Sequence, residues 1–570
     1  MQMDQSQNDQ NILLMMLGQM GISINSEIPI VDGQWTFLQD GTQVIAHFDA
    51  ASSFLTTLYL TADTLVIPAE LNQLVHIEDL RLWGRESITL PDDLTQLIKL
   101  QRLQMACATV PVLPSSLVRL PKLRSLTLSG YSYWTRLPET LWQLKQLTSL
   151  TVGQCQLQTL PAELGQLRKL RQLSLRECGL QGLPDELGRL TWLKQLYLNQ
   201  NELQAVPATI GNLTRLRLLR LENNRLRTLP DELRSLTRLE ELALTGNPLQ
   251  QLPEGLGELT RLHTLLASTR AFPYAIARLM KLRTLYLSNL NMGEEEVAAE
   301  EWASAIGQLP RLRYLSLENC KLPVLPASVG LWRSVQELDL RRNQLQTLPP
   351  QVGNWTQLRV LYLAFNPLHS LPDEVGRWSR LSRLQAMRTR LQALPKTVGG
   401  WRKLSELVIS DSLLETLPEE VGRWSELQQL YAHKNRLTAL PASVGHWSQL
   451  RMLRLNGNRL TTLPTTVSSW QQLEELILTT NRLYELPDGM GQLTQLRDLQ
   501  LANNCLHMLP AQLGELHHLH TLNVMQNALT ALPVEIARLS TLEHLHLYGN
   551  PLAEAPTALQ SQLVNCDIHI

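Results

Sequence analysis

The chain has 570 residues, a formal net charge of −1, 18% charged residues and 44% hydrophobic residues. That balance excludes both the basic excess of a nucleic-acid binder and the low apolar content of a disordered chain. Length alone predicts several globular domains, but a period that runs along almost the whole chain replaces that expectation with one elongated domain.

Residues 1–10, MQMDQSQNDQ, read as a disordered polar tail. Residues 11–49 read as an N-terminal cap: a short helix over the apolar stretch 12–20, then a hairpin in which WTFL (35–38) and VIAHF (44–48) flank the two-residue turn Asp40-Gly41. The tail has no positive n-region, so the apolar stretch is not read as a secretory signal, and it is too short to span a bilayer. A cover of this kind shields the open end of a stacked core from water.

From residue 50 to 570 the chain repeats, for most of its length every 23 residues, closing each time on L-x-x-L-x-L-x-x-N-x-L-x-x-L-P. Leu216, Leu219, Leu221, Asn224, Leu226, Leu229 and Pro230 form the clearest copy. There are 21 repeats with the proline and one without it, between Pro273 and Pro326. Period-2 alternation predicts a strand with Leu219 and Leu221 in the core and Leu218, Arg220 and Glu222 outward. The asparagine falls where the chain leaves the strand, and its amide can pair backbone groups that the turn would strand inside the core. Eleven repeats have it: Asn201, Asn224, Asn247, Asn343, Asn366, Asn435, Asn458, Asn481, Asn504, Asn527 and Asn550. Cys155, Cys178 and Cys320 occupy the same slot and read as structural. The proline predicts the first turn of a short helix, where a missing N–H costs nothing. Acids after Pro184 and Pro418 then read as helix-start chemistry and not as catalytic pairs.

Two irregular repeats occupy residues 262–312, with leucine spacings of 20 (Leu262 to Leu282) and 30 (Leu282 to Leu312). The longer one reads as a fuller helix with Val297, Trp302, Ile306 and Leu309 inward. Its five glutamates read as a solvated face, with a docking site for a basic partner as the alternative. Beyond it, seven successive repeats carry tryptophan six positions after the proline, from Trp332 to Trp470. Leucine fills that slot elsewhere, so the rings read as convex-side core, each indole N–H needing a local acceptor.

These motifs resemble the leucine-rich repeat superfamily. The 23-residue period, with its terminal Leu-Pro and following x-x-[LV]-G-x-[LW], is similar to the intracellular class that includes plant Ras-group-related proteins and Scribble-type scaffolds. The resemblance implies an α/β solenoid of about 22 repeats, curved like a horseshoe, with a parallel sheet on the concave face and short helices and turns on the convex face. It further implies a non-catalytic protein-binding scaffold or recognition module in small-GTPase-type signalling. An exported effector-like protein that binds a host protein is the alternative. The chain holds no phosphate-binding loop, dinucleotide fingerprint, H-E-x-x-H, G-x-S-x-G or paired C-x-x-C, so neither enzyme activity nor a cofactor is expected. Six singly scattered cysteines point to a reducing, cytoplasmic setting. The expected partner is a protein, not nucleic acid, without membrane insertion. The chain reads as a monomer, with an edge-to-edge dimer through its last strand as the alternative.

The binding surface is expected on the concave strands, whose outward residues the fold leaves free. Six of the eleven tyrosines fall there, amid arginines and acids of mixed sign. The candidate contact residues are Tyr197, Arg220, Tyr286, Tyr314, Glu318, Glu337, Asp339, Arg341, Tyr362 and Tyr431, densest on the four strands from Tyr286 to Tyr362. No metal site is assigned. His544, His546 and their register neighbours Asp567 and His569 are the candidate ligands for zinc or copper, weighed against ordinary polar residues on an exposed strand.

Overall fold

The computed structural model describes residues 2–21, 34–39, 42–49, 54–131, 133–292, 299–553 and 562–569. They divide into two compact units, Met1–Leu282 and Arg283–Ile570.

In the first unit, helix α1 spans Gln2–Gln19, so residues 2–10 are helix and not the disordered tail expected. The helix is anchored by its own buried face: Ile12, Leu13, Met16 and Leu17 are all buried, at a spacing that puts them on one side. Asp9, only 4% exposed, accepts a hydrogen bond from the Leu55 backbone N–H at 3.1 Å. The expected hairpin is present, with β1 (Gln34–Gln39) and β2 (Thr42–Phe48) antiparallel and Gln39 opposite Thr42. Its turn residues, Asp40 and Gly41, lie outside the described residues. β2 pairs antiparallel with β3 (Leu55–Val66), and β3 pairs in parallel with Asp79–Thr89. Nine strands of the repeats follow in this unit, each parallel to the one before, from Asp79–Thr89 to Thr264–Thr269.

The second unit has thirteen described strands, from Thr284–Ser288 to Asp567–His569, in parallel register one repeat apart: Leu338 faces Leu361, Leu361 faces Leu384, and so on. The central leucine is buried in every one of these strands except the last, whose central residue is the half-buried Ile568.

Most described strands of the repeats return through a short helical turn. Nineteen described turns are 3-10 helices of five residues, and each follows a proline. Each proline stands directly before the helix, with φ between −59° and −85°. Its carbonyl opens the turn, as where Pro349 O accepts the Val352 N–H at 3.1 Å. The long repeat alone among them carries an α-helix, α2 (Ala299–Gly307), which buries Trp302 and Ile306, with Leu309 buried just beyond. Val297 and Glu294 to Glu296 lie outside the described residues. Glu300 does more than face solvent: its carboxylate accepts the Ala327 and Ser328 backbone N–H groups, both at 3.0 Å, and so caps the next repeat's helical turn.

The asparagines behave as the pattern requires. Asn435 donates to Ile409 O at 2.8 Å, 26 residues back, and to Ala432 O at 3.1 Å, and its Oδ1 accepts the Leu414 N–H at 3.1 Å. Cys178 and Cys320 fill their slots as buried thiols donating to backbone carbonyls. Thr389 and Ser412 occupy two further slots, joined hydroxyl to hydroxyl at 2.8 Å. The residue before the slot is left-handed. Gly457 takes that position at φ 69°, but Thr480 takes it at 57°.

The tryptophans fill convex-side core as expected, and the acceptor is the preceding helical turn. Each indole from Trp355 to Trp470 donates at 2.8–2.9 Å to the carbonyl 26 residues back. Successive rings lie nearly parallel, with centroids 5.9–6.3 Å apart.

Replacing Asn435 by Ala leaves three buried backbone groups without their partner. A stability loss of about 2–4 kcal/mol is expected in urea unfolding, with faster amide exchange in that repeat and the one before it. Thr480→Gly is expected to act oppositely. Releasing a β-branched residue from the left-handed region outweighs the added chain entropy, for a gain of about 0.5–1 kcal/mol in the same assay.

Candidate functional site

Three positions per repeat face away from the core on the strand side: the first and third strand residues and one beyond. They are not free of one another, because register pairs each with its counterpart on the next strand. In the first unit, Tyr197 pairs with Arg220. Arg220 reaches on to Glu241 at 2.7 Å, and the Arg176 and Arg220 guanidiniums lie 4.9 and 6.0 Å from the Tyr197 ring centre. In the second unit, the same arrangement recurs at the same spacing. Tyr431 pairs with Arg454, whose guanidinium lies 5.4 Å from the ring centre and bonds Glu475 at 2.5 Å. Both are three-strand Tyr–Arg–Glu groups in which the arginine is held by the acid on one side and the aromatic ring on the other.

The densest predicted group, in the second unit, is brought together. Tyr314 pairs with Glu337 and Thr284, and Asp339 with Tyr362. Tyr286, Tyr314 and Tyr362 are half-buried. Asp339 differs from expectation. It is 1% exposed, and Arg341 covers it with Nε at 3.0 Å and Nη2 at 2.6 Å while donating its own backbone N–H at 3.0 Å. Asp339 therefore supports the surface and does not form it, and its hydrogen bonds hold Arg341 firmly protonated. Arg341 also lies 4.0 Å from Glu318, and its guanidinium is 5.1 Å from the Tyr362 ring centre. Beyond Tyr362, Arg383 bonds Glu406 at 2.6 Å.

Burial, reinforced by the negative charges of Asp339 and Glu337, pushes the Tyr314 phenol up to about 12. Burial likewise raises Tyr286, Tyr362 and Tyr431. These phenols stay neutral hydrogen-bonding groups through the physiological range, the state suited to a partly desolvated interface.

Four imidazole and carboxylate groups predicted as candidate ligands also meet. His544 faces Asp567 and His546 faces His569 on adjacent strands. His517, His518 and His520 lie on the preceding repeat, outside that strand pair.

Sequence reasoning missed two features. One is a shallow hollow on the first unit's strand side, lined by Thr127, Ser129, Thr151, Gly153, Ser174 and Arg176. Small polar residues give no signal of their own. The other is the Tyr–Arg–Glu repetition, which was present as a fixed spacing in the chain.

The leucine-rich repeat region family matches residues 63–176, 161–265 and 209–301, and the leucine rich repeat family matches 471–529. Together they cover a little more than half of the sequence. The chain is a leucine-rich repeat protein. Its fold is shared with solved leucine-rich repeat structures of low identity. The plant peptide hormone receptor RGFR1 in complex with RGF2 is 23% identical over 90% of this chain and 89% of that one, with a TM-score of 0.60. PEPR1 with AtPEP1 is 22% identical over 98% and 84%, with a TM-score of 0.60. The Arabidopsis receptor kinase HAESA with the peptide hormone IDA and the co-receptor SERK1 is 23% identical over 96% and 97%, with a TM-score of 0.57. No curated protein sequence matches significantly. Leucine-rich repeats generally serve as binding modules without catalysis. No helix among this protein's described residues is long and apolar enough to cross a membrane.

Because its phenol is held protonated in the fold, Tyr314 should contribute stability that is present below pH about 10 and lost as pH rises through about 12. Ultraviolet titration of phenolate in the folded protein is expected to lose its highest-pH component in Tyr314→Phe. Retention of that component would place the raised phenol elsewhere.

Proposed function

We propose that this leucine-rich repeat protein is a non-catalytic recognition module that holds a protein partner against the strand face of its repeats. The observation that carries the reading is the repeated Tyr–Arg–Glu arrangement. The fold requires only leucines and turn residues, yet Tyr197, Arg220 and Glu241 in one unit and Tyr431, Arg454 and Glu475 in the other recur in the same register. Arginines already held by acids and rings lose little freedom when a partner arrives, and tyrosine and arginine are the residue types that dominate interface energetics. The balanced charge favours a protein surface over a phosphate backbone. The solved structures of this fold named above include receptors in complex with peptide hormones, which supports use of the fold for peptide and protein ligands.

The finer setting we propose is a scaffold in the cytoplasm, in small-GTPase-type signalling. All six cysteines are free, four of them buried, which suits a reducing compartment. The class-level resemblance of the 23-residue repeat supports the signalling setting by analogy.

Affinity purification of the tagged full chain from its native lysate, beside a Tyr314→Ala, Tyr362→Ala, Tyr431→Ala variant, tests the reading. Asp339 is left in place, because removing it would strand Arg341 and weaken the fold. A partner retained by the wild type and weakened about tenfold or more in the variant, with circular dichroism unchanged, is expected. Equal retention by both proteins refutes the surface proposed here.

A further inference from the structure

The binding reading above does not use the histidine cluster of the second unit. Strand His544–His546 pairs in parallel with strand Asp567–His569, placing His544 beside Asp567 and His546 beside His569. Alternation puts all four side chains on the same face, the one that carries Tyr431 and Arg454 in earlier repeats. One ligand atom each from His544, Asp567 and His569 comes within 4.8 Å of the others, and His569 Nε2 is already 3.1 Å from Asp567 Oδ2. His546 stacks on His569 with centroids 4.7 Å apart, which limits the directions His569 can turn. All three candidate ligands are exposed, so no buried packing opposes a small rotation.

We infer that His544, Asp567 and His569 form a binding site for a divalent transition-metal ion of the zinc class, with a fourth position open to solvent. A zinc ion bound at 2.0–2.2 Å by tetrahedral ligands sets neighbouring ligand atoms about 3.4 Å apart. The His569–Asp567 pair, at 3.1 Å, is already close to that spacing. His544 closes the remainder by side-chain rotation, since its backbone is held 23 residues in register by the sheet. Two imidazoles and one carboxylate favour zinc, copper or nickel over magnesium and calcium, which take oxygen ligands. Two histidines and a carboxylate leave a coordination place for water, so the site resembles an open one in chemistry and not a closed structural one. His546 is a neighbour that restricts His569, not a ligand.

Titration of zinc chloride into the tag-free full chain, followed by calorimetry, tests this. The expected result is about one zinc ion per chain, in the micromolar range or tighter. His544→Ala and His569→Ala each weaken binding about tenfold or more, whereas His546→Ala keeps the stoichiometry and excess magnesium does not compete. Circular dichroism of each variant separates lost ligation from lost folding. Absence of saturable binding overturns the proposal, as does unchanged affinity in a His544→Ala, His569→Ala double variant. The latter would place the ion elsewhere on the chain.

Discussion

Stacked parallel strands this short cannot bury leucine without also burying the polar backbone that turns away from each strand. Every repeat must therefore supply a partner for those groups, and the supply has to come from the next repeat along. Asn435 meets that demand by reaching Ile409 O, and Trp401 meets it on the convex side by reaching Val375 O, each 26 residues back. The same step length on two sides of the core rivets one repeat to its predecessor. It also explains the rigidity of the 23-residue period, since an insertion moves donor and acceptor apart. The long repeat shows the exception and its remedy. Trp332 reaches 29 residues back to Ala303 O, and α2 occupies the extra length.

With the core and turns committed, chemistry is confined to the outward strand positions. A parallel sheet places these in rows, so a side chain's nearest neighbours are residues one repeat away and not residues adjacent in the chain. Arginines held between an acid and a ring are ordered before any partner arrives. On the proposed reading the cost of ordering them is met by folding, which leaves more of each contact for binding. Asp339 shows the limit of this economy. Its carboxylate is wholly engaged by Arg341, so it shapes the surface from beneath. The same row logic brings His544, Asp567 and His569 together, although 23 residues separate the nearest of them across the two strands.

Much of this was legible in the sequence because the relevant forces act at fixed offsets. Leucine spacing gives the strand, asparagine gives the turn, and tryptophan in a leucine slot gives convex core. Legibility failed where chemistry substitutes for a pattern. Thr389 and Ser412 replace asparagine with a hydroxyl pair. α1 extends back through residues 2–10 despite their polar composition, continuous with the turns that bury Ile12, Leu13, Met16 and Leu17. Glu300 looked like one more solvated charge, yet caps a turn 27 and 28 residues further on.

The sequence by itself determined the repeat, the direction each strand residue faces, and the identity of the side chains on the outward rows. Periodicity suffices for those, because strand alternation and stacking are local rules applied again and again. Only the tertiary structure decided which outward residues are engaged with one another and which remain available. That depends on contacts across repeats: Arg341 covering Asp339, Arg454 lying between Tyr431 and Glu475, and His569 meeting Asp567 while stacked on His546. Side-chain reach, burial and charge settle those pairings in three dimensions, and no single-repeat pattern encodes them.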